Sequence, residues 1–327
     1  MEKKIPIVCD LILSEKCNAR CKMCHMWKHA SSNELSFEEC KNFFNDLKTL
    51  VNSNSFEINL GGGEPLLRKD ILDLIRLCAK NSFSSSITTN GYLLDEEMAK
   101  KISDTGLKKL ILSLASLKEE THDSLRGIKG SFACLMAAID YLRKYWPTGE
   151  IYVNAIIKEQ NLGDIVALAE WVERDSLIRG IGFQAIAQPF FTPRDDFWYK
   201  KEEYACLWPQ DTAKVCSVID QLIEFKSKDY KIGNSVIQLN LFKEYYKNPH
   251  GLIRKSKCNF GDYIMNITTL GEVLLCVSKG AVGNIKKNSI ADIWNGEAAV
   301  SMRHRMHECA LNCNNIINCW FRPRNEF

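Results

Sequence analysis

Residues 5–24 read IPIVCDLILSEKCNARCKMC, and this stretch holds both a fold element and the first chemical signal. The run from Ile5 to Ser14 is short, apolar and β-rich, broken by Pro6 and Asp10, and reads as a first buried strand. It ends without a small-residue cleavage site, so the lysines before it do not mark a secretory signal. Directly after it come Cys17, Cys21 and Cys24, spaced C-x3-C-x2-C. Thiolate metal sites usually use four ligands. Three on one loop imply either a distant fourth ligand or a position left open.

Outward from that strand, the chain alternates β-rich runs with amphipathic helical segments as far as about residue 187. FEINL, SSSITT, KLILSL, IYVNAII and GIGFQAI follow IVCDLIL as strands. Between them lie helical patterns such as SFEECKNFFNDLKTLV, KDILDLIRLCAKN, DEEMAKKISDTG, GSFACLMAAIDYLRKY and LGDIVALAEWVERD. Such alternation implies parallel βαβ units with right-handed crossovers. They close into a partial barrel or open into a doubly wound sheet, and periodicity does not choose. In both architectures function gathers at the carboxyl ends of the strands, where the cysteine loop falls.

The rhythm breaks after residue 187. The aromatic, proline-punctuated segment from Phe190 to Tyr204 reads as a loop or cover over an opening. A helix follows with Asp211 or Thr212 as N-cap. The last part is cysteine-rich, with short strands YIMNIT and EVLLCV around a turn at Leu270-Gly271. The expected division is 1–205 for the α/β unit, 206–257 for a helical connector and 258–327 for a small α+β module.

Composition is that of an ordinary globular chain: 327 residues, 46% hydrophobic, 25% charged, net charge +3. Near-neutrality gives no reason to expect nucleic acid or an anionic membrane as partner. No run approaches the ~18 apolar residues of a membrane span, so the chain is expected to be cytoplasmic. In that compartment 14 cysteines are reduced thiols rather than a disulfide framework. Cys9, Cys40, Cys78, Cys134, Cys206 and Cys216 are scattered and read as small buried hydrophobes.

For the loop itself, structural zinc wants four closed ligands, and His25 is too close in sequence to Cys24 to supply the fourth. CKMCH matches a haem-attachment signal, but that chemistry belongs outside the cytoplasm. An iron–sulfur cluster is the third reading. Three thiolates leave one iron open, and an open position marks a catalytic metal rather than a structural one.

C-x3-C-x2-C after a first strand resembles the cluster loop of the radical S-adenosylmethionine (radical SAM) enzymes. Further signatures follow in order: the strand FEINL runs into Gly61-Gly62-Gly63-Glu64-Pro65, TTNGYLL places Thr89 and Asn90 at the end of strand three, and LILSLAS places Ser113 after strand four. Arg126 lies in THDSLRGIKGSF and Asn154 in VNAIIKEQN. The resemblance implies that Cys17, Cys21 and Cys24 hold a [4Fe–4S] cluster and that Gly62, Gly63 and Glu64 bind the amino group of S-adenosylmethionine. It implies that Asn90, Ser113, Arg126 and Asn154 contact its ribose and carboxylate. Arg126 suits the carboxylate because a guanidinium binds it bidentately. The sequence departs from the family at Met23, where an aromatic residue is usual, although a thioether also covers an adenine. It departs again at Ala115, where relatives often carry an acid.

The C-terminal pattern Cys258-x12-Gly271-x4-Cys276 followed by Cys309-x3-Cys313-x5-Cys319 resembles the SPASM/twitch extensions of these enzymes. That implies one auxiliary [4Fe–4S] cluster on four of the five cysteines. Cys258 and Cys276 lead, Cys313 and Cys319 follow, and Cys309 is the weakest candidate. A zinc-ribbon-like module, with His304 and His307 nearby, is the structural alternative. The implied fold is a partial (β/α)6 TIM-like barrel with a small Cys-rich α+β domain.

The implied activity is that of a radical SAM oxidoreductase or maturase. It would reductively cleave S-adenosylmethionine to a 5′-deoxyadenosyl radical that abstracts a substrate hydrogen, fed by an external flavodoxin- or ferredoxin-type electron donor. The substrate is a peptide or protein side chain, or alternatively a small alcohol or sugar-like metabolite, with Gln184 as a candidate contact. A non-catalytic iron–sulfur electron carrier is the reading from another class. It accounts for the cysteines but not for GGGEP.

Overall fold

The computed structural model describes residues 4–29, 33–190, 192–253, 257–313 and 315–319. Six strands, β1 (Val8–Ser14), β2 (Glu57–Gly62), β3 (Ser84–Thr89), β4 (Lys109–Ser113), β5 (Glu150–Ile157) and β6 (Ile178–Ala185), run parallel in sequence order. The crossovers carry α1 (Phe37–Leu47), α2 (Ile71–Lys80), α3 (Glu96–Ser103), α4 (Glu119–Arg126), α5 (Ser131–Tyr145) and α6 (Ile165–Arg174). Helix α4 was not among the sequence-level helical segments. It is a short polar helix, closed by Gly127 in the left-handed conformation.

The helices cover one face of the sheet. Cys9, Leu11 and Leu13 of β1 are fully buried on that side, against the α1 and α2 faces that carry Phe43, Phe44, Leu74 and Ile75. Each such side chain contributes roughly 1.5–3 kcal/mol on burial. Cys40 and Cys78 lie in this layer too, where burial pushes both thiols up. The opposite, inner face is more polar. Asn59 Nδ2 donates to Asp10 Oδ1 at 2.6 Å and Ser86 Oγ donates to Asn59 Oδ1, tying β1, β2 and β3 together.

The C-terminal strands continue this sheet. β7 (Ile264–Ile267) pairs parallel with β1, and β8 (Glu272–Leu274) and β9 (Gly283–Asn284) extend it antiparallel, giving the order β6-β5-β4-β3-β2-β1-β7-β8-β9. At the far edge, the ladder groups of β6 are covered without another full strand. Ile181 pairs with the Lys231 and Gly233 backbone, both bonds at 2.8 Å. The Asn234 amide accepts from Phe183 N–H at 2.7 Å and donates to its carbonyl at 2.9 Å, and Asn318 does the same for Ala185 at 2.7 and 2.9 Å. Open edges are thus blunted by side chains that imitate a strand.

After β6 come α7 (Glu202–Ala205), α8 (Thr212–Ser227), capped by Asp211, and α9 (Val236–Lys247). The aromatic segment expected to cover an opening is partly core. Trp198 and Tyr204 are buried and join a ring cluster with Trp208, Tyr245 and Tyr246, while Phe190 and Phe197 remain exposed. Beyond the sheet, α10 (Phe260–Tyr263), α11 (Ile290–Asn295), α12 (Glu297–His307) and a π-helical turn (Asn315–Cys319) complete the described chain. Among the described residues no helix is long and apolar enough to cross a membrane.

Candidate active site

The cysteine loop hangs from the carboxyl end of β1 and is clamped from two sides. The β2 end pairs with it: Gly63 N–H donates to Ser14 O and Glu64 N–H to Lys16 O, each at 2.8 Å. A Cβ on Gly62 would collide with the Ser14 carbonyl, and one on Gly63 with the Lys16 carbonyl. The glycines therefore serve the approach of one backbone to another, the segment that leads into Cys17. From the other side, Arg20 N–H donates to Arg126 O at 2.9 Å, and a Cβ on Gly127 would strike the Arg20 carbonyl. Sequence reasoning missed Gly127. The signal was there, a glycine directly after a helical Arg.

The three thiols respond to one another. Burial pushes Cys17 up to about 11, with Cys21, Glu64 and Cys24 adding like-charge repulsion and the Ala19 N–H, 3.4 Å from Sγ, opposing it. Cys24 is raised by burial and by Cys21, and lowered by the Met26 N–H and by Arg126. The Arg126 Nη1 donates to Cys21 Sγ at 3.8 Å. Among the described residues, no three Cys, His, Asp or Glu side chains already form a closed ion-binding set. Protonated thiols that repel one another when ionised are what a metal converts into ligands, since coordination deprotonates them.

Around the loop stand the other residues named from sequence. Glu64 is buried, its Oε1 accepting from Thr89 Oγ1 at 2.7 Å and Leu66 N–H at 3.1 Å, its Oε2 from Asn90 N–H at 2.8 Å. Burial raises this carboxyl, against those three bonds and the Arg126 charge. Its oxygens bind protein groups, so it joins the ends of β2 and β3. Asn90 Nδ2 donates to Asn18 Oδ1 at 2.8 Å. Asn18 was unremarked in the sequence; its Nδ2 and the Arg126 Nε are buried without a hydrogen-bond partner among the described residues. Ser113 and Asn154 are register partners and half-buried, and Asn154 Oδ1 overlies Gly182. Met23 is buried in the core. Gln184 is half-buried on β6, opposite Ile156.

Lys158, which directly follows β5, was also missed. It is fully buried, and its ammonium has no hydrogen-bond partner among the described residues. Burial and the repulsion of Arg126 push it down to about 7, while Cys21 pulls it back up. A lysine after a strand reads as a surface residue, so nothing local marks it.

The C-terminal thiols form a second set. Cys313 is raised by burial and then by Cys258 and Cys276, and Cys276 by burial and by Cys309. Cys319 feels Cys313, but also Asp10 of β1, and its thiol is pushed up to about 12, by burial first. Cys258 is buried, Cys276, Cys309 and Cys313 are half-buried, and Cys319 is exposed as a residue. His307 Nε2 contacts Asp262 at 3.2 Å and His304 lies by Glu308 on the surface, which takes both imidazoles away from the thiols.

Comparison with known proteins gives the family. Residues 11–172 match the Radical SAM superfamily, and residues 258–320 match the SPASM iron–sulfur cluster-binding domain. The chain belongs to the radical SAM superfamily and carries a C-terminal SPASM domain. Its cofactors are accordingly S-adenosylmethionine and a [4Fe–4S] cluster, with auxiliary iron–sulfur binding in the SPASM domain.

Among curated relatives, the Fe-coproporphyrin III synthase of Methanosarcina barkeri is 34% identical over 181 residues, 54% of this chain, and the chain spans only 43% of its length. The AdoMet-dependent heme synthase of the same organism is 24% identical over 294 residues, covering 86% of this chain and 80% of that one. Among solved structures, Streptococcus suis SuiB bound to precursor peptide SuiA has a TM-score of 0.69 at 15% identity, over 92% of this chain and 67% of that chain. At that identity the likeness is one of fold, a partial barrel with a SPASM region.

Proposed function

We propose that this chain oxidatively modifies a peptide or protein side chain. When bound, S-adenosylmethionine and the reduced cluster supply a 5′-deoxyadenosyl radical that takes a substrate hydrogen atom, and the protein's part is to bind, orient and exclude water. Cys17, Cys21 and Cys24 hold the cluster. Gly62, Gly63, Glu64 and Asn90 shape the amino-acid end of the cofactor site, Arg126 receives the carboxylate, Ser113 and Asn154 the ribose, and Met23 lies toward the adenine. Cys258, Cys276, Cys309 and Cys313 would hold one auxiliary cluster, which would supply an acceptor for the second electron of the oxidation. An external reductant of flavodoxin or ferredoxin type primes the first.

The observation that carries this reading is a pair of buried donors without partners among the described residues, Asn18 Nδ2 and Arg126 Nε, on residues beside the three-thiol loop at the carboxyl end of a parallel sheet. Buried donors left unpaired cost about 1–3 kcal/mol each, which the carboxylate of the bound cofactor would recover. The peptide reading is supported by the inner-face groups not given to the cofactor. Thr88, Tyr152 and Gln184 are neutral, and Lys109 is engaged by Glu57 at 2.8 Å. Such a lining suits amides better than a polyanion. A tetrapyrrole side chain is the second reading, favoured by the likeness to a heme synthase over 86% of this chain.

The test is anaerobic reconstitution with iron and sulfide, then dithionite and S-adenosylmethionine, with 5′-deoxyadenosine as readout. Product above a Cys17→Ala control is expected, and product equal to that control overturns the reading. Deuterium transfer into 5′-deoxyadenosine from a side-chain-deuterated peptide library, against a deuterated porphyrin propionate, separates the two substrates.

A further inference from the structure

We propose that the Tyr/Trp cluster touching the cysteine loop is an escape route for unspent radicals: Tyr204, Trp198 and Tyr199 carry the unpaired electron from the cofactor site to the protein surface. The inference rests on the reading that S-adenosylmethionine is cleaved at a cluster held by Cys17, Cys21 and Cys24. It gives these rings a further function, preserving the protein when no substrate is in place.

Three observations carry it. The first is continuity. Between centroids, the ring of His25, the residue after Cys24, lies 5.7 Å from Tyr204, Tyr204 lies 6.2 Å from Trp198, and Trp198 lies 6.1 Å from Tyr199. Trp208 offers a parallel path, 5.9 Å from Trp198 and 4.7 Å from Tyr199. Electron exchange falls steeply with the gap between π systems, so rings in contact form a route. Among the described residues, Trp198 is the ring that joins Tyr204 to the rest.

The second is composition. The buried rings of this cluster, Trp198, Tyr204, Trp208, Tyr245 and Tyr246, include no Phe. The core on the helix side of the sheet instead packs Phe43, Phe44, Phe56 and Phe83 against one another. Phe fills a core without the polar atom that a buried Tyr or Trp must satisfy. Packing alone therefore does not call for phenols and indoles, whose distinct property is easy one-electron oxidation.

The third is the ending. Tyr199 is half-buried, and its Oη is hydrogen-bonded at 2.9 Å to Nε2 of the exposed His250. A phenol loses its electron together with its proton, and this imidazole stands where the proton goes. Tyr204 gives its phenolic hydrogen atom to an unspent 5′-deoxyadenosyl radical: a C–H bond forms, an O–H bond breaks, and 5′-deoxyadenosine is left. One electron then passes from Tyr199 through Trp198 to Tyr204, which regains a proton from solvent, while the Tyr199 proton moves to His250. A thiolate in solution gives one electron to the Tyr199 phenoxyl and leaves as a thiyl radical, and His250 returns the proton.

The experiment maps where the radical goes. Full-length protein is reconstituted, reduced, freed of excess reductant, and given S-adenosylmethionine and a nitroso spin trap without substrate. Peptide mass spectrometry locates the trapped residues. In a control arm, cluster-free protein receives azidyl radicals with the same trap. Wild type should carry the trap at Tyr199 in both arms. In Trp198→Phe the Tyr199 adduct should fall to background in the first arm, with trap appearing on Tyr204. It should persist in the control arm, because Trp208 still touches Tyr199.

A Tyr199 adduct in Trp198→Phe equal to wild type in the first arm overturns the route, as does a wild-type adduct confined to Tyr204. Should Trp198→Phe fail to fold, Tyr199→Phe decides, since it removes one hydroxyl. Trap must then appear on Trp198 or Trp208, and its absence from both overturns the route. If wild type forms no 5′-deoxyadenosine, the reading of the cofactor site has failed and the route falls with it. If 5′-deoxyadenosine forms and these rings stay free of trap, the route alone is sunk.

Discussion

The two cysteine sets are built in opposite ways. Cys17, Cys21 and Cys24 lie on one loop, so chain connectivity alone brings them together, and Gly62, Gly63 and Gly127 only aim the loop. The C-terminal set is drawn from separate segments: Cys258 before α10, Cys276 after β8, and Cys309 and Cys313 beyond α12. Its assembly depends on β7 joining β1 and on Asn318 binding the edge of β6. A local site survives changes elsewhere in the fold. A dispersed site inherits the stability of every element that carries it.

That contrast can be broken, and the strongest blow is Asn318→Ala. It leaves the Ala185 N–H and carbonyl unpaired and should cost about 2–4 kcal/mol, with auxiliary iron lost and hydrogen exchange at Ala185 accelerated. Iron bound through Cys17, Cys21 and Cys24 should remain. Equal loss from both sites would mean that they are one cooperative structure.

Gly63→Ala is the converse. The new Cβ would press on the Glu15 and Lys16 backbone, so about 1–3 kcal/mol of stability and the iron of the first site should go while auxiliary iron stays. A variant with full iron and unchanged denaturant midpoint would show that the loop is not held by this contact.

Acid should sharpen the same division. His122 is buried, takes the Ala115 N–H on Nδ1 at 3.2 Å, and is held neutral, lowered to about 3 by burial first and then by Arg126. Between its unfolded value of 6.5 and its folded one, the unfolded chain binds a proton that the native chain does not. Its contribution is therefore present above that unfolded value and lost as the pH falls toward about 3. About 1 kcal/mol should disappear between roughly pH 6 and pH 5. His122→Gln should flatten this limb of the thermal stability profile, and an unchanged profile would remove His122 as its source.

The smallest effect on stability, and the finest test, is the pair Cys309→Ser and Cys319→Ser. Auxiliary iron should fall in the first and persist in the second, because Cys309 couples to Cys276 whereas Cys319 lies toward Asp10. The reverse pattern would restore Cys319 as a ligand.

Legibility follows the same line. The six parallel strands and the helices between them other than α4 were readable because periodicity and spacing are local properties, and the cysteine loop and GGGEP lie within single short segments. Glu64 was legible as a residue that matters but not in its bonding. Its partners Thr89 and Asn90 are on β3, and only the register of β2 with β3 brings them to its carboxylate. Helix α4 escaped because a short, polar helix has little apolar periodicity to show. Asn318 escaped because its partner Ala185 is far away in sequence, and the burial of Lys158 has no local pattern.

By itself the sequence determined an alternating α/β chain, a three-thiol loop at the end of the first strand, and a second store of cysteines near the end. Hydrophobic period, glycine placement and short spacing carry that information along the backbone. Only the tertiary structure decided that the C-terminal strands extend the barrel sheet, that two amides close its far edge, and that the lysine after β5 is fully buried. Those features depend on which backbone edges and which charges meet in space, and pairing across large sequence separations leaves no local pattern to read.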